Sequence, residues 1–134
     1  MPHFLAPLVD APAGTCVLRN ERTGLTVSTT LLPAFDSRSR RRGLLGRHAL
    51  ERRTAIVLAP CQAIHTWFMR FAIDVLFVRK DGTVLKVLPG VRPWRIALSL
   101  RAFAVIELAA GVAAESETRA GDRLRVVARE EVRP

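Results

Sequence analysis

Between Cys61 and Asp74 the chain reads Cys-Gln-Ala-Ile-His-Thr-Trp-Phe-Met-Arg-Phe-Ala-Ile-Asp, which gathers a thiol, an imidazole, an indole, a thioether, a guanidinium and a carboxylate within fourteen positions. Three kinds of chemistry draw on such a set. As metal ligands, Cys61 and His65 would need Cys16, His48 or Asp74 to complete the shell. A structural zinc site shows paired short spacings, and this chain has a single such pair. As nucleophile, base and orienter, Cys61, His65 and Asp74 have the right types for a thiol triad, but no Gly-rich turn follows the cysteine to frame an oxyanion. On an extended strand, moreover, positions 61 and 65 stand about 13 Å apart at roughly 3.3 Å per residue. The expectation is therefore no metal, no cofactor and no assigned catalytic residue, with Cys61 packing as a small apolar side chain.

Binding is the third chemistry, and Asp74 is its most informative carboxylate. It stands directly before Val75-Leu76-Phe77-Val78 and needs a donor to remain charged there, which Arg70, Arg41 or the His65 ring could supply. Such a pair serves equally as a structural clamp or as part of a site. If residues 64–69 alternate as a strand, His65, Trp67 and Met69 share one face, and Ile64, Thr66 and Phe68 the other. Arg92, Trp94 and Ile96 would form a neighbouring stripe. A groove walled by Trp and Arg and floored by His and Asp suits a small anionic or sugar-like ligand, or a peptide. The ligand-binding candidates are accordingly His65, Trp67, Arg70, Asp74, Trp94 and Arg41. The competing reading places both tryptophans in the core.

The elements that must position these residues are short. Residues 16–21 and 25–32 read as strands joined across Arg22-Thr23-Gly24, the second alternating with Leu25, Val27, Thr29 and Leu31 on one face. Pro33 should end it, and a basic helix over residues 37–45 should follow, capped by Asp36 or Ser37 and stopped at Gly46. From residue 55 onward short apolar runs broken by turn residues predict antiparallel strands at 55–59, 64–69, 73–79, 83–88, 91–97, 103–108 and 123–129. Asp81-Gly82 is the strongest hairpin signal, predicting a type I′ turn. Pro89-Gly90 should break a strand and Pro93 favours an edge. Glu107 falls on the face of Phe103 and Val105, and residues 111–120 hold a turn or a single helical turn. The fold class expected is mainly β, a β-sandwich, jelly-roll-like or distorted barrel of about eight strands, with one short basic α-helix.

At 134 residues, with 49% apolar and 25% charged residues, the chain is the size of one folded domain. The expected division is a flexible leader over 1–14, one domain over 15–129 and a frayed tail over 130–134. No stretch approaches the roughly 18 uninterrupted apolar residues of a membrane span, and the leader lacks a basic start, so a cytoplasmic location is expected. Two cysteines there read as thiols rather than a disulfide. A net charge of +9 invites nucleic acid, with the arginines of residues 38–53 as the contact, but no nucleic-acid motif accompanies them.

The blocks Arg42-Gly43-Leu44-Leu45-Gly46-Arg47, Ile64-His65-Thr66-Trp67-Phe68-Met69-Arg70-Phe71-Ala72-Ile73-Asp74, Asp81-Gly82, Arg92-Pro93-Trp94-Arg95, Val105-Ile106-Glu107-Leu108-Ala109-Ala110-Gly111 and Gly121-Asp122 follow one another in an order that resembles the small prokaryotic family named domain of unknown function 192. The resemblance runs over about residues 15–128. It differs where the family commonly has Pro for Ala72 and Met for Leu45, neither of which alters a titratable group. It implies a compact β-sandwich with one helix and no established activity. Three functions stay open: an accessory module that binds a small anionic ligand or protein segment near His65 and Asp74, a hydrolase-type enzyme using those two residues, and a nucleic-acid binder.

Overall fold

The apolar runs at residues 73–78 and 104–109 form β6 (Ile73–Val78) and β9 (Ala104–Ala109), and every residue of both strands is buried. A strand covered on both faces has no wet side, so its sequence does not alternate. In the computed structural model, which describes residues 3–12, 14–36 and 49–129, these two strands are the middle of a five-stranded sheet. Its order is β3 (Thr30–Ala34), β4 (Thr54–Leu58), β9, β6, β7 (Val84–Val91). All neighbours are antiparallel except β3 and β4, a parallel pair whose connection is residues 35–53.

One face of this sheet packs against a three-stranded sheet of β10 (Leu124–Ala128), β1 (Cys16–Asn20) and β2 (Thr26–Ser28). Leu18, Val27, Val57, Leu76, Ile106, Leu108, Leu124 and Val126 fill the space between them. The opposite face, carrying Ile56, Leu58, Ile73, Val75, Phe77 and Val105, is covered by Met69, Ala97 and Ala102. That cover belongs to a two-stranded ribbon of β5 (Ala63–His65) and β8 (Ile96–Leu98) and the loops around it. The mainly β architecture is thus three layers deep, with the large sheet innermost.

Several local expectations change. Residues 25–32 do not form one strand: β2 and β3 separate at Thr29 and enter different sheets, and Leu25 is exposed. The buried Ser28 hydroxyl makes the break, bonding to the Thr30 and Arg53 carbonyls at 3.0 and 2.7 Å. Pro33 lies inside β3 rather than ending it, which the outer position of that strand permits. Pro89-Gly90 does not break β7 either. The register shifts between Ile73 and Val75 opposite it, and Gly90 takes φ +57°, so a bulge absorbs the pair. At the Asp81-Gly82 hairpin only Gly82 has positive φ, because Asp81 accepts from the Thr83 amide and the loop runs three residues from Arg79 to Thr83. Residues 64–69 and 91–97, expected as strands, are strand for only part of their length. The expected flexible leader packs instead: α1 (Ala6–Val9) follows Leu5, and Leu5 and Leu8 are buried in the core. The basic helix expected over 37–45, with Arg41, and the tail beyond 129 lie outside the described residues.

A second short helix, α2 (Val112–Glu115), meets the expected helical turn. Below it Asp122 accepts from Arg22 Nε at 2.5 Å, Asn20 Nδ2 at 2.9 Å and the Arg119 amide at 2.9 Å. The Arg22 guanidinium holds this carboxyl well below its ordinary pKa, so the cluster ties the β1–β2 turn to the start of β10.

Candidate functional site

The sequence stretch with the densest chemistry does not act as one strand. β5 ends at His65 because Thr66 turns inward and binds the loop opposite. Its amide donates to Arg95 O at 2.8 Å, and its hydroxyl donates to Arg92 O at 2.6 Å and accepts from the Arg95 amide at 2.8 Å. The Trp94 amide in turn donates to Thr66 O at 3.0 Å. Thr66 is buried and Met69 inserts into the core, so between them Trp67 and Phe68 are pushed to the surface.

Phe68 and Trp94 both take φ +65°, a left-handed backbone that costs a residue with a side chain roughly 1–2 kcal/mol. Their rings meet edge to face with centroids 4.7 Å apart, and His65 lies against Trp67 at 4.8 Å. On the ribbon itself the polarity is inverted. Ala97 faces the core, while Ile96 and Leu98 point outward, opposite His65 and Ala63 respectively. The outcome is a continuous apolar surface in which Phe68 is 69%, Trp94 58% and Ile96 63% exposed. Arg70, Arg92 and Arg95 are exposed at its margin, and residues 59–73 and 82–106 contain no Asp or Glu.

Among the predicted site residues, His65, Trp67, Arg70 and Trp94 therefore stand on the outer ribbon and its loops. Asp74 does not join them. It is fully buried, and its carboxylate accepts from the amides of Gly90 at 2.9 Å, Gly111 at 3.0 Å and Ala113 at 2.9 Å. These bonds clamp the β7 bulge and the start of α2 to β6, in place of the arginine or imidazole partner expected from the sequence. Arg41 falls outside the described residues.

Sequence reasoning placed Ile96 beside Trp94 but missed Phe68 and Leu98 as parts of this face and the buried Thr66 as the joint beneath it. A strict period of two put Thr66 and Phe68 together, whereas the loop sends one in and the other out. The signal available was composition: two segments rich in aromatic residues and arginine without any acid. Glu107, on β9 between Ile56 and Val75, has its pKa pushed up to about 7 by burial. Neither Asp74 nor Glu107 bonds to His65, and among the described residues no three His, Cys, Asp or Glu side chains converge as a metal site. No disulfide joins Cys16 to Cys61.

Comparison with known proteins adds fold and family. A family model for domain of unknown function 192, described as uncharacterised ACR, matches residues 18–126. A crystal structure of a protein of unknown function from Novosphingobium aromaticivorans DSM 12444 shares 18% identity at a TM-score of 0.71, covering 83% of each chain. A candidate transcription regulator from Sinorhizobium meliloti 1021 shares 22% identity at a TM-score of 0.75, covering 87% of this chain and 97% of that one. No curated protein matches. At these identities the two structures speak to the fold alone, and no helix among the described residues is long and apolar enough to cross a membrane.

Proposed function

The chain belongs to the domain of unknown function 192 family, and on that premise we propose that it is a non-enzymatic binding domain whose ribbon face docks an acidic, amphipathic protein segment. One observation carries this reading: Trp67, Phe68, Trp94, Ile96 and Leu98 form a contiguous exposed apolar surface on loops held in strained conformations. Isolated exposed apolar residues are ordinary, but a contiguous patch built on stored backbone strain marks an interaction surface. Arg92 and Arg95 at the margin, with no acid in either segment, select a partner that supplies both apolar side chains and carboxylates. The alternative of a hydrolase with His65 as base finds no support in the hydrogen bonding, since Asp74 is spent on three amides.

Binding is tested with a short fluorescent peptide alternating Leu or Phe with Asp or Glu, followed by anisotropy. Saturable binding with a Kd in roughly the micromolar range is expected, lost in the Trp67→Ala/Trp94→Ala double variant and absent for a Lys-substituted peptide. Equal binding of the basic peptide overturns the reading. So does capture by phosphatidylglycerol vesicles without any peptide binding, because the occupant is then a membrane surface.

A further inference from the structure

At the other end of the ribbon, away from the aromatic loops, lies a depression of about 540 Å³. Cys61 and Gln62 form one wall, Arg79 and Lys80 leave β6 along a second, and Arg101 and Phe103 enter β9 along the third. Main-chain bonds fix all three walls: the Cys61 amide donates to Phe103 O at 2.9 Å, and the Phe103 amide to Val78 O at 2.9 Å. Gln62 Nε2 donates to Leu100 O at 2.7 Å, which holds the third wall against the first.

Three cations thus surround one small depression, and no carboxylate lines it. Among the described residues none of the three enters an ion pair. Asp81, the acid nearest to Arg79 in sequence, turns to the Thr83 amide at 2.9 Å and stays out of the lining, although its charge faces Arg79 and Arg123. Lys80 Nζ lies 5.8 Å from the centroid of the Phe103 ring, a residue that lines the same depression. Asp81 offsets part of the Arg79 charge from outside, but the lining itself holds three cations and no carboxylate, and a ligand carrying two or more negative charges lowers their mutual repulsion.

We propose that this depression is a binding site for a small phosphate-bearing polyanion, of the class of pyrophosphate or a nucleoside diphosphate. Its volume lies within the range of small-molecule sites, and its arginines present planar forks that match phosphate oxygens. The site is separate from the aromatic face, and the failure of either proposal leaves the other standing.

Calorimetric titration of the full chain with pyrophosphate, with ADP and with a short single-stranded oligonucleotide tests the proposal at constant ionic strength. Pyrophosphate or ADP should bind with one-to-one stoichiometry and raise the melting temperature by several degrees at about a hundredfold excess over Kd. The Arg79→Gln/Arg101→Gln variant, which removes two like charges at exposed positions, should melt no lower than the parent and lose that binding about tenfold or more. Cys61 gives a second readout, because it lines the depression while Cys16 is buried: bound pyrophosphate should slow its reaction with iodoacetamide in the parent and not in the variant. Binding that survives in the variant, or no heat and no shift with either compound, overturns the assignment. Tight binding of the oligonucleotide with none of pyrophosphate or ADP also overturns it, because the phosphates then belong to a nucleic-acid strand.

Discussion

On β9 the Glu107 carboxyl sits between Ile56 of β4 and Val75 of β6, where burial holds its pKa near 7 against an ordinary 4.5. The folded protein keeps that proton over a range in which the unfolded chain has released it, so stability declines as pH rises from about 4.5 to about 7 and is level beyond. At roughly 1.4 kcal/mol per pKa unit the full effect is about 3 kcal/mol. Glu107→Gln is expected to leave stability near pH 4 almost unchanged and to raise it near pH 8 by about 1–3 kcal/mol, as read by urea denaturation at both values. An equal gain at both would show that ionisation is not the cause. Asp74 differs from Glu107 in its bonding, because its carboxylate accepts from three main-chain amides. Asp74→Asn keeps one acceptor oxygen and turns an N–H toward amides, so a loss of about 2–4 kcal/mol is expected, while His65→Ala on the exposed face should cost less than about 0.5 kcal/mol. Comparable losses for the two would contradict the separation of a buried clamp from a surface histidine. The sequence shows that Asp74 needs partners; it cannot show that they are main-chain amides, which carry no residue identity.

The ribbon of β5 and β8 covers the large sheet on one side and presents the aromatic loops on the other, and Thr66 is the joint between those tasks. Thr66→Val preserves shape and burial but removes the hydroxyl from Arg92 O and the Arg95 amide. A loss of about 1–3 kcal/mol is expected, with acrylamide quenching of tryptophan fluorescence increased, since the left-handed turns at Phe68 and Trp94 lose their restraint. Both tryptophans of the chain lie in these loops and there is no tyrosine, so the emission reports on this element alone. Unchanged quenching with a lowered melting point would mean that Thr66 only supports the core. Element by element, legibility follows burial. The β6 run and its Asp-Gly turn are readable because a strand buried on both faces is unbroken in sequence and its hairpin needs a glycine. Residues 25–32 and 64–69 alternate as strands should, yet each contains a point where side-chain hydroxyls, of Ser28 and Thr66, capture distant carbonyls and redirect the chain. Period-two patterning carries no mark of such a long-range bond. The aromatic and arginine content of the face is equally readable, but its outward direction depends on Met69 and Ala97 facing inward, which only the packed sheet decides.

For the whole molecule the governing quantity is a net charge of +9 from 21 basic and 12 acidic residues, with few ion pairs among the described residues to offset it. Repulsion among arginines opposes the compact state, and salt screens it over a Debye length of about 10 Å at 0.1 M. Added sodium chloride should therefore stabilise this protein, raising the melting temperature by a few degrees between about 0.02 and 0.3 M. The same salt should act against docking of an acidic segment, since Arg92 and Arg95 supply its long-range attraction while the aromatic surface is indifferent to screening. Affinity for the acidic peptide is expected to fall several-fold over that range without vanishing, and the remaining affinity should be removed by Trp67→Ala/Trp94→Ala. Stability and binding thus move in opposite directions with one variable, which separates a genuine charge-guided interface from association driven by partial unfolding. If melting temperature and peptide affinity fell together as salt rose, the loss of binding would follow from loss of the fold, and the docking face would have to be sought elsewhere.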